Sequence, residues 1–463
     1  MNSKIIKKIL NDYKNSQDYK DIVKSYDYYS NKHDILDKKR MGIGQVKGTR
    51  EVIENLPNNK LTNNIYSVLV DQKKNYLLTR PIGFNTDNEE YQKELSSFFD
   101  LKFHKLIKSV GKDSLLANMG YIYPYVDDEG NFKLMKFDPL EIIPIWEDKL
   151  HTYLKAFIRF YTTVDYDDKE TQIVEYYHMY GMDVYQEKNG DLVLVEQKPY
   201  FMVGNDIGNW GRIPLVYFRM DEQEQPLLNR VKSLQDAINK ILSKFMDSLD
   251  EDSRNTILVF KNIGGHSEEQ LRQLRREINR SGIIAYSSSS QTGNADVSTL
   301  NVEIDINNYK EVLEILRKAI IDVGRGVDTN SELFQKAVNQ MTIQSLYTNI
   351  DLDANEMETE YKVSLDILLE FFNIFNGYEH QKVDFTFDRN ILINETASIE
   401  NAGKSMGIIS EKTIIKNHPW VVDVESEIKQ IEEEKKKDLD YFDDYKSLGG
   451  ENHELLGKED REA

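Results

Sequence analysis

Gly403-Lys404-Ser405 has the residue order that ends a nucleotide-binding phosphate loop, where amides and a lysine cradle phosphate and the hydroxyl holds magnesium. That loop also needs a glycine five residues before Gly403, and the position is Ser398. The stretch leading to the tripeptide reads as helix, not strand, so a polar helix accounts for it better. Asp351-Leu352-Asp353-Ala354-Asn355 opens like a calcium-binding loop. Its sixth position, however, is Glu356 where glycine makes the sharp turn, and its twelfth is Lys362 where a bidentate glutamate belongs. An acidic, solvated helix face is expected there instead. The eight histidines lack the paired spacing of a zinc hydrolase, and no Ser/His/Asp constellation can be picked out from spacing. The expectation is no catalytic residue, no cofactor, no bound metal and no enzyme.

Two other arrays suit binding rather than catalysis. Arg272, Arg276 and Arg280 recur every four residues and therefore share one helix face, with Arg275 beside it. A solvated helix supported by Glu268 and Arg272 is one account of them. Contact with an acidic partner or a neighbouring subunit is the other. The second array is the segment 324–342, GRGVDTNSELFQKAVNQMT. Gly324 and Gly326 flank Arg325, and Asp328, Asn330, Gln335, Lys336, Asn339 and Gln340 follow. Between long helices, a polar segment opened by glycine is either a working loop or a disordered one.

What must position these arrays can be read from composition and periodicity. The chain has 463 residues, room for roughly three domains. Apolar residues make up 40% and charged residues 30%, as in a folded soluble protein. There is no cysteine, which suits a reducing cytoplasm. No apolar run is long enough to span a membrane, and Lys4, Lys7 and Lys8 precede no apolar signal region, so a soluble intracellular chain without membrane contact is expected. The net charge is −20, unevenly spread: residues 1–50 are locally +6 and residues 423–463 locally −8. Duplex affinity is built largely from phosphate neutralisation by Lys and Arg, so any contact with DNA must be loose or confined to few positions.

Helical periodicity covers Leu10 to Ser30, Thr62 to Tyr76, with Ile65, Val68 and Leu69 on one face, and Asn88 to Gly120. Tyr76 to Leu78 leads into a β-like edge that Pro81 ends. From Tyr121 to about Tyr217 the pattern is strands, with hairpin turns at Asp127 to Asn131 and at Asn189-Gly190. After Pro226, Val231, Leu234, Ile238, Ile241, Phe245 and Leu249 form one stripe on a long helix. A small α/β excursion follows, with TILVF and IIAY as strands around an arginine-rich helix. A second long helix then runs from Asn308 to about Val323, with Leu313, Leu316, Ile320 and Val323 striped. Another helix covers Ile343 to Phe375, interrupted by its acid-rich patch; FTFDRN is a strand, 395–439 is helical, and the remainder is frayed.

The order of these pieces resembles the portal proteins of tailed bacteriophages, of the type found in siphophages of Gram-positive bacteria. The resemblance is carried by YYSNKHDIL (28–36), NNKLTNNIYSVLVDQKKNYLLTRPI (58–82), FDPLEIIPIWEDK (137–149), GNWGRIPLVYF (208–218) and SLQDAINKILSKFMDSLDE (233–251). VDFTFDRNILINE (383–395) and GIISEKTIIKNHPWVVDVESEI (407–428) complete it. One departure is NQMTIQSL (339–346), where the family often has a small Ser-Gly-rich turn.

The resemblance implies an α+β, mainly α, portal fold. Residues 1–225 would form a wing with a helical first part and a β-rich layer, and 226–252 a first stem helix. Residues 253–302 would form a small α/β clip and 303–323 the second stem helix. The tunnel loop would be 324–342, with 343–394 a long helix and strand returning to the wing, and 395–463 a helical crown with a frayed acidic end. It further implies a virion protein, assembled in the host cytoplasm as a homo-oligomeric ring, usually of twelve subunits, at one capsid vertex. Double-stranded DNA would pass through its channel, and the terminase large subunit, head-tail adaptor, major capsid and scaffolding proteins would be partners. On this reading Arg325, Asn330, Gln335, Lys336 and Asn339 are the loop residues that touch DNA in passing. Arg272, Arg275, Arg276 and Arg280 serve subunit pairing or docking of the motor and adaptor. A different virion component, or a nucleotide-dependent packaging enzyme, is the alternative.

Overall fold

The computed structural model describes residues 1–43, 50–52, 57–164, 168, 170–203, 206–252, 257–261, 269, 296–300, 306–331, 340–389, 395–418, 420–421, 424 and 426–437. The chain divides into two compact units, Met1–Asp328 with Asn349–Asn390, and Thr329–Thr348 with Ile391–Ala463.

The first unit begins with α1 (Ser3–Asn15) and α2 (Gln17–Tyr29), where one helix from Leu10 is expected. Ser16 makes the break: its extended backbone ends α1 while its Oγ accepts the Tyr19 N–H and starts α2. The short strands β1 (Met41–Ile43) and β2 (Arg50–Val52) pair antiparallel. Helix α3 (Ile65–Leu78) starts at Asn64, whose side chain accepts the Ser67 N–H.

Tyr76, Leu77 and Leu78 are the last turn of α3 and fully helical, which corrects the expected β-like edge. The strand lies beyond Pro81, as β3 (Gly83–Asn85). Val68, expected on the apolar face, is half exposed; the buried side is Tyr66, Leu69, Val70, Lys73, Tyr76 and Leu77.

The expected helix over 88–120 is two, α4 (Glu89–Phe98) and α5 (Leu101–Ala117), because Asp100 turns the chain and caps α5 at the Phe103 N–H. Strands β4 (Met119–Val126) and β5 (Phe132–Phe137) flank the 127–131 turn as the sequence predicts. Next, β6 (Ile142–Trp146), β7 (Leu154–Val164), β8 (Glu170–His178), β9 (Gly181–Lys188) and β10 (Asp191–Lys198) form one antiparallel meander in chain order. Its last hairpin turns at Asn189 and Gly190, both with positive φ (52° and 83°), as such two-residue turns require. The pair β11 (Phe201–Val203) and β12 (Asp206–Gly208) follows, and β13 (Val216–Arg219) then joins the free side of β4.

Helix α6 (Leu227–Asp252) is the long helix expected after Pro226. Within 253–302 the described residues are β14 (Ile257–Lys261) and β15 (Asp296–Leu300), paired antiparallel, and residue 269. Helix α7 (Ile306–Val323) packs back along α6. Helix α8 (Gln340–Asn376) is continuous through the acidic stretch where an interruption is expected. The last strand, β16 (Asp384–Thr386), pairs with β3. In the second unit the region expected as one helix is broken into α9 (Glu395–Lys404), α10 (Glu411–Lys416) and a helical run over 426–437. Gly407, at φ 79°, marks the first break.

Among the described residues, one apolar core joins α1 to the meander and another joins the long helices to α3 and α5. Ile6 and Leu10 of α1 cover Ile143, Ile158, Phe160 and Val174 on the meander. Tyr66, Leu69 and Val70 of α3 meet Leu115 and Leu116 of α5, Leu228, Val231 and Ile238 of α6, and Ile320 and Ile321 of α7. The second core ties both long helices to the body of the unit.

Candidate functional site

Helix α6 carries, besides its apolar stripe, a buried polar one: Gln235, Asn239, Ser243 and Asp247, spaced by four. Four helical residues rise about 6 Å, and two extended residues rise about 6.6 Å. The extended segment leading into α3 exploits that match. The Asn59 N–H donates to Asp247 (2.6 Å), Leu61 N–H to Ser243 Oγ (3.0 Å) and Asn63 N–H to Asn239 Oδ1 (2.9 Å). One step further, Tyr66 N–H donates to Gln235 Oε1 (3.1 Å), whose Nε2 returns a bond to the Asn63 carbonyl (2.7 Å). Backbone that has no strand to pair with is thereby satisfied by a helix.

Asn239 also donates to Nδ1 of His33 (2.7 Å), and His33 Nε2 lies 3.1 Å from the Tyr28 carbonyl, which fixes Nε2 as the protonated nitrogen. Burial holds this imidazole below its ordinary pKa, hence neutral.

At the other end of α6 charges converge. Asp353 of α8, 4% exposed, accepts from Lys73 of α3, from Arg230 of α6 (3.1 Å) and from Arg325, just past α7 (2.6 Å). Arg230 also reaches Asp221 (2.6 Å), and the Lys73 ammonium donates to the Arg325 carbonyl (3.1 Å). Burial alone would raise the Asp353 pKa; Lys73, Arg230 and Arg325 overcome it and hold the group below the usual carboxylate range. Burial, with Arg230 and Arg325 nearby, holds the Lys73 amine below its usual value. Four helices of the first unit are pinned at this one carboxylate.

Arg325 owes its place to how α7 ends. The Gly326 N–H bonds to the Ile321 carbonyl (2.8 Å) and the Arg325 N–H to the Asp322 carbonyl (3.1 Å), with Arg325 itself left-handed at φ 50°. This is a Schellman termination in which arginine takes the position glycine usually fills. The glycines serve another purpose. A Cβ on Gly324 would sit 2.6 Å from Leu69 Cδ1 and 2.8 Å from the Ile320 carbonyl, and one on Gly326 would sit 2.3 Å from Leu69 Cδ2. Gly324→Ala is therefore expected to cost about 1–3 kcal/mol through overpacking, read as a lower denaturation midpoint. An unchanged midpoint would mean that α7 does not sit this close to α3.

Of the residues singled out by sequence, Arg325 is committed to Asp353 and approaches Glu356 (3.8 Å). Asn330 lies in the second unit. Gln335, Lys336 and Asn339, and the arginines 272, 275, 276 and 280, lie outside the described residues. The DxDxN stretch is interior helix, and its three side chains diverge. Asp351 accepts from Tyr76 Oη (2.6 Å), Asp353 is buried in the charge cluster, and Asn355 accepts from Arg389 (2.8 Å). The expectation of a solvated acidic face is corrected at Asp353. Gly403-Lys404-Ser405 stands at the C-terminus of α9, where Ser405 caps the Asn401 carbonyl; that end of a helix repels phosphate.

Sequence reasoning missed Lys73, Arg230, Gln235 and Asn239. The four-residue spacing of the polar stripe on α6 was the available signal. Among the described residues no group of three His, Cys, Asp or Glu side chains could hold a metal ion, and no helix is long and apolar enough to cross a membrane.

A family model described as phage portal protein, SPP1 Gp6-like, matches residues 7–440. A portal protein of Clostridium phage phiCD119 is 28% identical over 435 residues, covering 90% of this chain and 93% of that one. The portal protein of Bacillus phage SPP1 is 26% identical over 432 residues, covering 89% and 83% respectively. A solved chain from the neck of a native GTA particle, computed with C12 symmetry, aligns over 75% of this chain and 89% of its own at 12% identity, with a TM-score of 0.40.

Proposed function

The chain belongs to the family of SPP1 Gp6-like phage portal proteins, and from that premise we propose that it forms the ring at one capsid vertex through which double-stranded DNA enters and leaves. It is a structural protein of the virion, assembled in the host cytoplasm, with twelve copies as the expected ring. The terminase large subunit docks on it during packaging, the head-tail adaptor afterwards, and capsid and scaffolding proteins surround it.

The observation that carries this reading is the antiparallel pair α6 and α7, long helices bracketing a small β pair and followed in sequence by a polar segment. Residues 226–252 and 303–323 are then the stem, 253–302 the clip, 324–342 the tunnel loop, 1–225 with 343–394 the wing, and 395–463 the crown. The arginines 272, 275, 276 and 280 belong to the clip surface that meets the motor, the adaptor or a neighbouring clip.

A channel for a polyanion must guide without gripping. A chain of net charge −20 supplies repulsion along the wall, and a few cations and amides on a loop make brief phosphate contacts. Lys336, with Gln335, Asn330 and Asn339, is assigned that contact. Arg325, held by Asp353, is the fixed base from which the loop departs.

Negative-stain images of the purified protein should show rings with a central hole; dispersed single chains at every salt concentration would oppose the reading. Replacing Lys336 and Asn339 together with Ala should leave rings intact but shorten the DNA packaged and retained per particle severalfold. Full-length retained genomes would remove the loop from DNA handling.

A further inference from the structure

We infer that His33 is an acid-operated latch: a proton taken up there breaks the polar ladder that holds segment 59–66 on α6. The device lies within one chain and does not depend on the ring reading.

His33 is 1% exposed and sits where several segments meet. Its ring stacks on that of Tyr28 of α2, with centroids 4.4 Å apart and planes 15° from parallel. Asp34 opens the 3-10 turn that follows it, Asn239 faces it from α6, and Asn64 caps α3 nearby. Both ring nitrogens are engaged. Nε2–H donates to the Tyr28 carbonyl, which also accepts from Asn64 Nδ2 (2.7 Å), and Nδ1 accepts from Asn239 Nδ2 (2.7 Å). Only the neutral imidazole has an acceptor to offer at Nδ1.

A proton on Nδ1 sets donor against donor, and Asn239 can answer only by turning its amide over. Its Oδ1, however, already accepts the Asn63 N–H (2.9 Å) and Gln235 Nε2 (3.1 Å). Turned over, Asn239 points an NH2 group at both. Gln235 cannot turn with it at no cost, because its Oε1 holds the Tyr66 N–H (3.1 Å) and its Nε2 serves the Asn63 carbonyl (2.7 Å). Among these groups, no orientation of the two amides satisfies a charged His33 together with the Asn63 and Tyr66 amides. The proton is thus relayed by two α6 side chains into lost backbone hydrogen bonds at the start of α3, a buried site where each loss is costly.

The charged neighbours fix the sign. Lys24 of α2 and Lys232 of α6 both bind Asp34 (2.7 Å each), and Lys232 also binds Asp236 (2.7 Å), which accepts from the Tyr28 hydroxyl (2.5 Å). The two carboxylates favour an imidazolium, but ammonium groups already meet their charge, and burial prevails. Against burial, Lys232 and Lys24 hold Asp34 at about 2, so it stays ionised while His33 titrates. A base held low in the folded state contributes stability that is fully present above the unfolded value near 6.5. That contribution is lost as pH falls from there through the folded value. The latch is closed at neutral pH and opens in acid.

Hydrogen exchange of the full chain, read by mass spectrometry at about pH 7.5 and about pH 5 and divided by the intrinsic rate at each, tests this. Protection over 59–66 should fall about threefold or more relative to α5 at the lower pH. His33→Asn keeps an acceptor for Asn239 but takes up no proton, so its 59–66 segment should stay closed at both. No fall in the unaltered chain, or an equal fall in His33→Asn, would overturn the latch. Should His33→Asn fail to fold, Asn239→Asp decides. That carboxylate keeps an oxygen for Asn63 and Gln235 and offers its other oxygen to a charged His33, so acid should no longer lower protection there. A fall as large as in the unaltered chain would overturn the latch equally.

Discussion

Asp353→Asn is expected to cost about 3–5 kcal/mol of folding stability, because the substitution strands three cations around a buried position that no longer carries charge. Lys73, Arg230 and Arg325 come from three different parts of the chain, and among the described residues Asp353 is the partner that all three share. The size of the effect follows from the asymmetry of buried ion pairs. An intact pair adds little over an apolar substitute, whereas removing one member leaves the other desolvated and unpaired.

The pH dependence carries the same signature. Asp353 is held below its ordinary pKa, so its contribution is fully present above the unfolded value near 4 and is lost as pH falls through the folded value. The gap between wild type and Asp353→Asn should be constant from neutral pH to about 4 and close only in stronger acid. Denaturant titrations at three pH values would measure this. A gap under about 1 kcal/mol at neutral pH would mean that the cluster is solvated and that α7 is not fixed there.

Element type was legible where one physical demand dominated. The Asn189-Gly190 hairpin needs two positive φ values and is written in the only residues that supply them cheaply. The apolar stripe of α6 and that of α7 each announced a helix, and both are present. Breaks were less legible, because Ser16 and Asp100 stop one helix and start the next within a single residue without disturbing the apolar period.

Functional geometry was least legible. Lys73 falls among Leu69, Tyr76 and Leu77 at helical spacing, and its charge argues for solvent unless Asp353, 280 residues away, is known to face it. Arg325 could be seen as notable, flanked by glycines, but not that the glycines make room for Leu69 while arginine takes the left-handed turn. Gln335, Lys336 and Asn339, three of the polar candidates of that segment, lie outside the described residues.

Asn239→Leu should be nearly as damaging as the loss of Asp353, although leucine is apolar, similar in size and a better helix former. The position is fully buried on the helix proposed to line the channel wall, and by composition an apolar residue belongs there. Yet Asn239 accepts from the Asn63 amide and from Gln235 Nε2, and donates to His33. Leucine fills the space, excludes water and leaves the Asn63 N–H and His33 Nδ1 without the partner that Asn239 supplies. Buried groups left so cost about 1–3 kcal/mol each, so a loss of about 3 kcal/mol is expected.

The diagnostic readout is local. Amide exchange at Leu61, Asn63 and Tyr66 should accelerate by orders of magnitude relative to α5, since these donors are held by α6 side chains. Lys240→Leu, next along the helix but exposed, should change neither exchange nor stability by more than about 0.5 kcal/mol. If both variants behaved alike, the ladder would be incidental to the fold. If only Asn239→Leu opens 59–66, the polar stripe is what clamps α6 to the body. A helix so clamped does not slide on its apolar face, because each hydrogen bond fixes its register along the axis where hydrophobic contact does not.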